Sequence, residues 1–391
     1  MSRYINRDYQ LIETLSELKT VADLFKKEKA IAIDLEADSM YHFKEKVCLV
    51  QMATHDINVV IDPLKIYDLS PLKPLFENRG IKKIFHGADY DVRSLYRDFK
   101  ININNLFDTQ LACMFLGIRE TGLEAVVKKW FKVGLDKKYQ RKDWSKRPLP
   151  WDMMAYAAKD TLYLLPLAKI LEEKLKKLKR LSWVNEECRY LSKVRHASFN
   201  HKPLYLKFNG AGRLDSRSLG TLEALLQYRK KIAKKEDRPL FKIFGNNSLM
   251  KLATKKPANL SIVEKTKALS PRQIRMHGDA VIDLINNTLK KPESSLPVYP
   301  RKKSSPLPPQ VPKRVKAIKA WRDTVANKLK IDPSLLFNKA LLTAIALQNP
   351  KDIKSFEGIK GIKNWQKNEF GEKIISILKN DGQLTNNTIL L

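Results

Sequence analysis

Two carboxylates separated by one residue close an apolar run, in the stretch Ile31-Ala-Ile-Asp34-Leu-Glu36-Ala-Asp-Ser39. In a strand, residues i and i+2 project from the same face, so Asp34 and Glu36 point at one spot. Their repulsion there calls for neutralisation, which a hard divalent cation such as Mg²⁺ or Mn²⁺ supplies through oxygen ligands. The plainer reading is a strand that runs out into an acidic, solvated turn. Tyr156 and Asp160 stand i, i+4 in a helical stretch, which sets phenol and carboxylate on one helix face. Such a phenol can orient or help deprotonate a water while the acid holds a metal. Its plain alternative is an amphipathic helix with Tyr156 packed and Asp160 solvated. Between these pairs, KKIFHGADYDVRSLY offers Asp89 and Asp91, and residue chemistry does not choose between them. Two bound ions about 4 Å apart would clamp the attacking and departing oxygens of a phosphodiester. Several carboxylates without a histidine cluster suit that site and disfavour zinc.

The elements that must position these groups read as an α/β domain over residues 1–195. Ala30–Asp34, Val47–Met52 and Ile57–Ile61 are strand candidates with short polar breaks, which suits an antiparallel meander. Lys82–Phe85 is a further strand, followed by a helix over Tyr90–Phe99. Helices are expected over Asp108–Leu116, Gly122–Phe131 and Trp151–Lys179, the last kinked or divided by Pro166. A connector at 196–213 leads to a helical block over 214–291. A proline-rich linker at 292–312 leads to a second helical block over 313–382 and a tail at 383–391. The two blocks look alike. Each has an aromatic–Arg pair (Tyr228-Arg229, Trp321-Arg322), a proline (Pro239, Pro333), a Phe (Phe241, Phe337) and a later glycine (Gly278; Gly361 or Gly371). An internal duplication accounts for this economically.

Lys and Arg number 74 against 42 Asp and Glu, a formal charge of +32. Such an excess attracts a polyanion, and nucleic acid fits better than an acidic membrane because no lipidation motif or amphipathic anchor accompanies it. No run approaches the roughly 18 apolar residues of a membrane span, and the N-terminus lacks a secretion pattern, so a cytoplasmic location is expected. Cys48, Cys113 and Cys188 are far apart and form no CxxC pair, which points to reduced thiols. Lys137–Arg147 holds six cations with Tyr139 and Trp144 among them. Cations can follow phosphates while aromatics stack on unpaired bases; equally, Trp144 can plug the core. Lys230, Lys231, Lys234, Lys235, Arg238, Lys313, Arg314, Lys316 and Lys319 could hold structured RNA or be ordinary solvated faces.

Taken together, IDLEADS, FHGADYDVRSL and LDKKYQRKDWSKRPLPWDMMAYAAKDTLYLLPL resemble the three ordered motifs of the DEDD exonuclease superfamily. They resemble its tyrosine-bearing branch and are similar to the ribonuclease D family. The helical blocks resemble HRDC domains. The resemblance implies a ribonuclease-H-like α/β exonuclease domain followed by two small all-α HRDC-like domains. It implies Asp34, Glu36, Asp91 and Asp160 as metal-binding carboxylates for two divalent ions, Mg²⁺ or Mn²⁺, and Tyr156 as the water-orienting residue. Asp91 is preferred over Asp89 because the family's acid stands five residues after a His, here His86. Leu35 stands where the family often has Thr. The implied activity is 3′→5′ exoribonuclease, releasing nucleoside 5′-monophosphates from RNA with a free 3′ end, transfer RNA precursors among them. A monomer is expected. The rival readings are a DNA exonuclease, a catalytically silent RNA-binding protein and a structural ribonucleoprotein component. No GxxxxGK[ST] loop occurs, which excludes a helicase of that type.

Overall fold

The computed structural model describes residues 9–196, 202–300 and 307–379. The tail at 383–391, and residues 197–201 and 301–306 of the two connectors, lie outside the described residues.

The first domain is built on a six-stranded mixed sheet in the order β1-β4-β3-β2-β5-β6. Its strands are β1 Gln10–Ile12, β2 Ala30–Ala37, β3 Val47–Ala53, β4 Asn58–Ile61, β5 Lys82–Phe85 and β6 Leu106–Asp108. The expected meander forms, with β2 antiparallel to β3 and β3 antiparallel to β4. β1 joins β4 in parallel, β5 joins β2 in parallel, and β6 joins β5 in parallel. β1 and β6 have only three residues each, too short for period-two patterning to announce them. β3 is buried along its whole length, as expected of a strand covered on both faces.

Three features of this domain place the chemistry. β2 runs antiparallel to β3 with Asp34 opposite Gln51 and Glu36 opposite Leu49, and its register shifts between Glu36 and Ala37. A helix at Asp89–Phe99 follows β5. The long helical stretch is divided into Trp151–Leu162 and Leu164–Lys177. Pro166 explains the division: a proline ring clashes with the carbonyl four residues back, here that of Leu162. The Trp151–Leu162 helix packs on β2, β3 and β4. Cys48, Cys113 and Cys188 are free and buried.

The two helical blocks repeat one design. In the first, Ser216–Lys235, Asn246–Lys255, Leu260–Thr266 and Pro271–Leu289 are helical; in the second, Gln310–Leu329, Lys339–Gln348 and Asn364–Lys379 are. The buried arginine of each donates to a phenylalanine carbonyl fifteen residues on: Arg229 to Phe244 at 2.9 Å and Arg322 to Phe337 at 2.7 Å. The partner of Phe337 is therefore Phe244, which is fully buried, and not Phe241, which is 52% exposed. The equivalent glycines are Gly278 and Gly371. A Cβ at either would come within 2.6 Å of a side chain, Leu260 in one block and Ile353 in the other.

By contacts the chain forms two compact units. One gathers the first helical block with the loop Asp38–Lys46. In it, the Asp237 carboxylate accepts from the Phe43 N–H at 3.1 Å and lies 2.7 Å from His42 Nδ1. Residues ahead of the block also pack into it: Tyr205 and Ala211 are buried, and the Glu223 carboxylate accepts from the Leu204 and Tyr205 N–H groups. The other unit joins the first domain to the second helical block through one continuous core. Trp183 stacks on Trp365 with centroids 4.8 Å apart, and Phe115 meets Trp365 edge-on at 5.7 Å. Glu186, from the helix Leu181–Leu191, accepts from the Asn364 and Trp365 N–H groups at 2.9 Å. Those N–H groups begin the Asn364–Lys379 helix and have no partner within it, so Glu186 caps it from another domain. The Arg180 guanidinium donates to the Phe115 and Leu329 carbonyls.

Candidate active site

Asp34 and Glu36 lie on β2, Asp91 in the first turn of the Asp89–Phe99 helix, and Tyr156 and Asp160 on the Trp151–Leu162 helix. These remote segments form one electrostatic neighbourhood. Burial lifts the Asp34 carboxyl to about 7, opposed by a hydrogen bond from the Leu35 N–H. Burial and then the repulsion of Asp34, Asp160 and Asp91 hold Glu36 well above the usual carboxylate range. Asp91 is raised by burial, then by Asp34 and Asp108, and Asp160 is pushed to about 8 by burial and Asp34. Asp91 is 7% exposed. Asp34, Glu36 and Asp160 are half-buried, so each keeps an edge open to solvent or a ligand.

Asp89 faces the other way. Its carboxylate is exposed and paired with Arg93 at 2.7 Å, which keeps it below its ordinary value. Tyr156 is raised by burial and then by Asp160, Glu36 and Asp34, so its phenol stays protonated at neutral pH. An un-ionised phenol beside carboxylates can orient a water through its hydrogen bonds, and its proton leaves too reluctantly for it to act as a base. The ring is held by two aromatics of the basic stretch, Tyr139 edge-on at 5.8 Å and Trp144 tilted at 6.2 Å. Trp144 is 1% exposed, so it is core and offers no face to a base. Arg147 of the same stretch is likewise structural, bonded to Asp62 at 2.6 Å and to the Cys48 carbonyl at 2.9 Å.

Sequence reasoning passed over two polar residues here. Asp108 is buried, and its carboxylate accepts from the Gly87 and Ala88 N–H groups at 2.9 and 2.8 Å and from those of Gln110 and Leu111. It thereby pins the turn that starts the Asp91 helix to the start of the next one. An aspartate just before an apolar helix is a capping signal, so half of this role was readable. Gln51, opposite Asp34, is fully buried with no hydrogen-bond partner for its amide. Nothing in the sequence marks it.

Four carboxylates with no histidine or cysteine among them make an all-oxygen donor set, which fits a hard divalent cation. Among the described residues no three such side chains stand preassembled as a metal cage. Uncompensated carboxylates repel one another, so binding a cation entails drawing them together.

Comparison with known proteins places the chain in a family. Residues 9–176 match the 3′–5′ exonuclease family, and residues 218–285 and 312–378 match the HRDC domain. The chain is 30% identical to ribonuclease D of Serratia proteamaculans over 291 residues, 74% of this chain and 78% of that one. It is 27% identical to ribonuclease D of Pseudomonas paraeruginosa over 378 residues, 96% of this chain and 97% of that one. The crystal structure of Escherichia coli RNase D, an exoribonuclease involved in structured RNA processing, superposes with a TM-score of 0.71 at 26% identity, covering 96% of this chain and all of that one. With an exonuclease domain, two HRDC domains and relatives matched end to end, the chain belongs to the ribonuclease D family of 3′→5′ exoribonucleases.

Proposed function

We propose that the chain is a divalent-metal-dependent exoribonuclease that trims 3′ ends of small structured RNAs, transfer RNA precursors among them, in the cytoplasm. One observation carries this reading: four carboxylates and a phenol from three remote segments share one field, with no lysine or arginine among the groups that shift the four acids. Asp34, Glu36, Asp91 and Asp160 are assigned to holding one or two ions, Mg²⁺ or Mn²⁺. Bound there, such ions offset the charge of the phosphodiester and make a water more acidic. Tyr156 orients the attacking water through its intact phenol. Water oxygen bonds to the terminal phosphorus, the bond from phosphorus to the 3′-oxygen breaks, and that oxygen takes up a proton. A nucleoside 5′-monophosphate leaves, and the strand is one residue shorter with a new 3′-hydroxyl.

The division of labour follows the domains: residues 1–195 cut, while 214–291 and 313–382 hold the body of the RNA. The formal charge of +32 favours that role. No described helix is long and apolar enough to cross a membrane.

The test uses transfer RNA precursor labelled at either end, with Mg²⁺, Mn²⁺ or EDTA. Stepwise shortening from the 3′ end with metal, and none with EDTA, is the expected result. Asp34→Asn should lower turnover on the order of 10²-fold or more while the fold and RNA binding persist. Undiminished cleavage by that variant would remove Asp34 from the site. Faster digestion of a matched DNA strand would favour the DNA reading.

A further inference from the structure

The helix that carries Tyr156 and Asp160 begins with Trp151. Trp151 is 55% exposed, whereas each of the other five tryptophans is buried or half-buried. A lone exposed aromatic is unremarkable by itself. Its place is informative, because Trp151 lines the same cavity, of about 340 Å³, as Tyr156 and Asp160. A helix rises about 1.5 Å per residue, so Trp151 lies roughly 13 Å along the axis from Asp160. That is within the span of a strand whose end sits at the acids.

The cavity's charge says what kind of contact it offers. Lys138 and Lys159 line it, but so do Asp136, Asp152 and Asp160. Phosphate gains little from such a balance, whereas the π-face of a base is indifferent to it. Stacking on an aromatic is worth a substantial fraction of single-strand affinity and tolerates any base. Of the two roles the sequence leaves open for Trp144, stacking or filling the core, the structure shows the second: it is buried beside Tyr156.

We propose that Trp151 is the stacking platform for an unpaired base of the RNA strand whose 3′ end is being hydrolysed. The proposal rests on the exoribonuclease reading of the same site and adds to it a residue that grips the substrate. Trp151 opens its helix from an exposed position, so its replacement leaves the core untouched.

The experiment compares wild type, Trp151→Ala and Trp151→Phe on single-stranded oligoribonucleotides with a free 3′ end. A second set of substrates carries one abasic nucleotide, moved stepwise away from that end. Trp151→Ala should raise KM about 5- to 100-fold, with the loss falling mainly on KM, and Trp151→Phe should restore much of it. In the wild type, one abasic position should weaken binding, and in Trp151→Ala that position should lose its effect. Wild-type cleavage with an unchanged KM in Trp151→Ala, or the same abasic profile in both proteins, overturns the platform and leaves the nuclease standing. A wild type that cleaves no RNA overturns both.

Discussion

At the scale of single residues the candidate site is a set of acids that bind protons too well. Asp34 and Asp160 are lifted to about 7 and about 8, from an ordinary value of about 4. Between the ordinary value and the raised one, the folded chain holds protons that the unfolded chain has released. Stability therefore falls as pH rises through that window. Removing both charges should cancel this term. In EDTA, the double variant Asp34→Asn, Asp160→Asn should gain stability on the wild type as pH rises from 5 to 8. Paired thermal melts at the two pH values measure it, and a difference that stays flat or shrinks contradicts the shared field. Asp108 serves as a fixed acceptor for four N–H groups. Asp108→Ala leaves buried donors without a partner and should cost about 1–3 kcal/mol by urea unfolding. It should also depress turnover, because the Asp91 helix loses its anchor. The period-two spacing made Asp34 and Glu36 legible from sequence. The choice of Asp91 over Asp89 depended on the spacing from His86. The Asp89–Arg93 pair at i, i+4 is a physical cue in the same direction, since it turns Asp89 outward.

At the scale of elements, the strands β2 to β5 and the broken helix at Pro166 were readable because period, length and a ring clash are local. What is not local is harder to read. The sequence pairs Phe241 with Phe337, one helical turn away from the true counterpart Phe244, because sequence alone does not reveal which apolar residue the buried Arg229 bonds. The glycine pair Gly278 and Gly371 allows a contrast. Both sit in helices, where alanine is favoured by about 0.5–1 kcal/mol. The side chain met at Gly278 belongs to Leu260, which is 41% exposed and free to swing aside. At Gly371 it belongs to Ile353, half-buried against the core. Gly278→Ala should be neutral or mildly stabilising, and Gly371→Ala should cost about 1–3 kcal/mol. Denaturant midpoints for the two variants decide it; equal costs would show that the two packings are alike.

At the scale of the whole molecule, the contact between the exonuclease-type domain and the second helical block was invisible in the sequence. It joins residues on either side of a proline-rich stretch, and neither Glu186 nor Trp365 stands in a motif. Trp183, Trp365, Phe115 and Phe370 form a continuous aromatic cluster. Trp365→Ala should cost about 3–5 kcal/mol. By calorimetry it should lower one shared transition of the exonuclease-type domain and the second block. If instead the second block melts earlier on its own, the cluster does not couple them.

Common ancestry has thus not left the two repeats interchangeable. The place that Trp365 holds relative to Gly371 is held in the first repeat by Arg272, which is exposed. A chimera carrying two copies of the first repeat would set a guanidinium where the Trp183 indole expects a ring, and would strand Glu187 without the indole N–H that it accepts at 3.0 Å. One repeat has become part of the chassis of the cutting domain, while its twin has kept a polar surface to spend on something else.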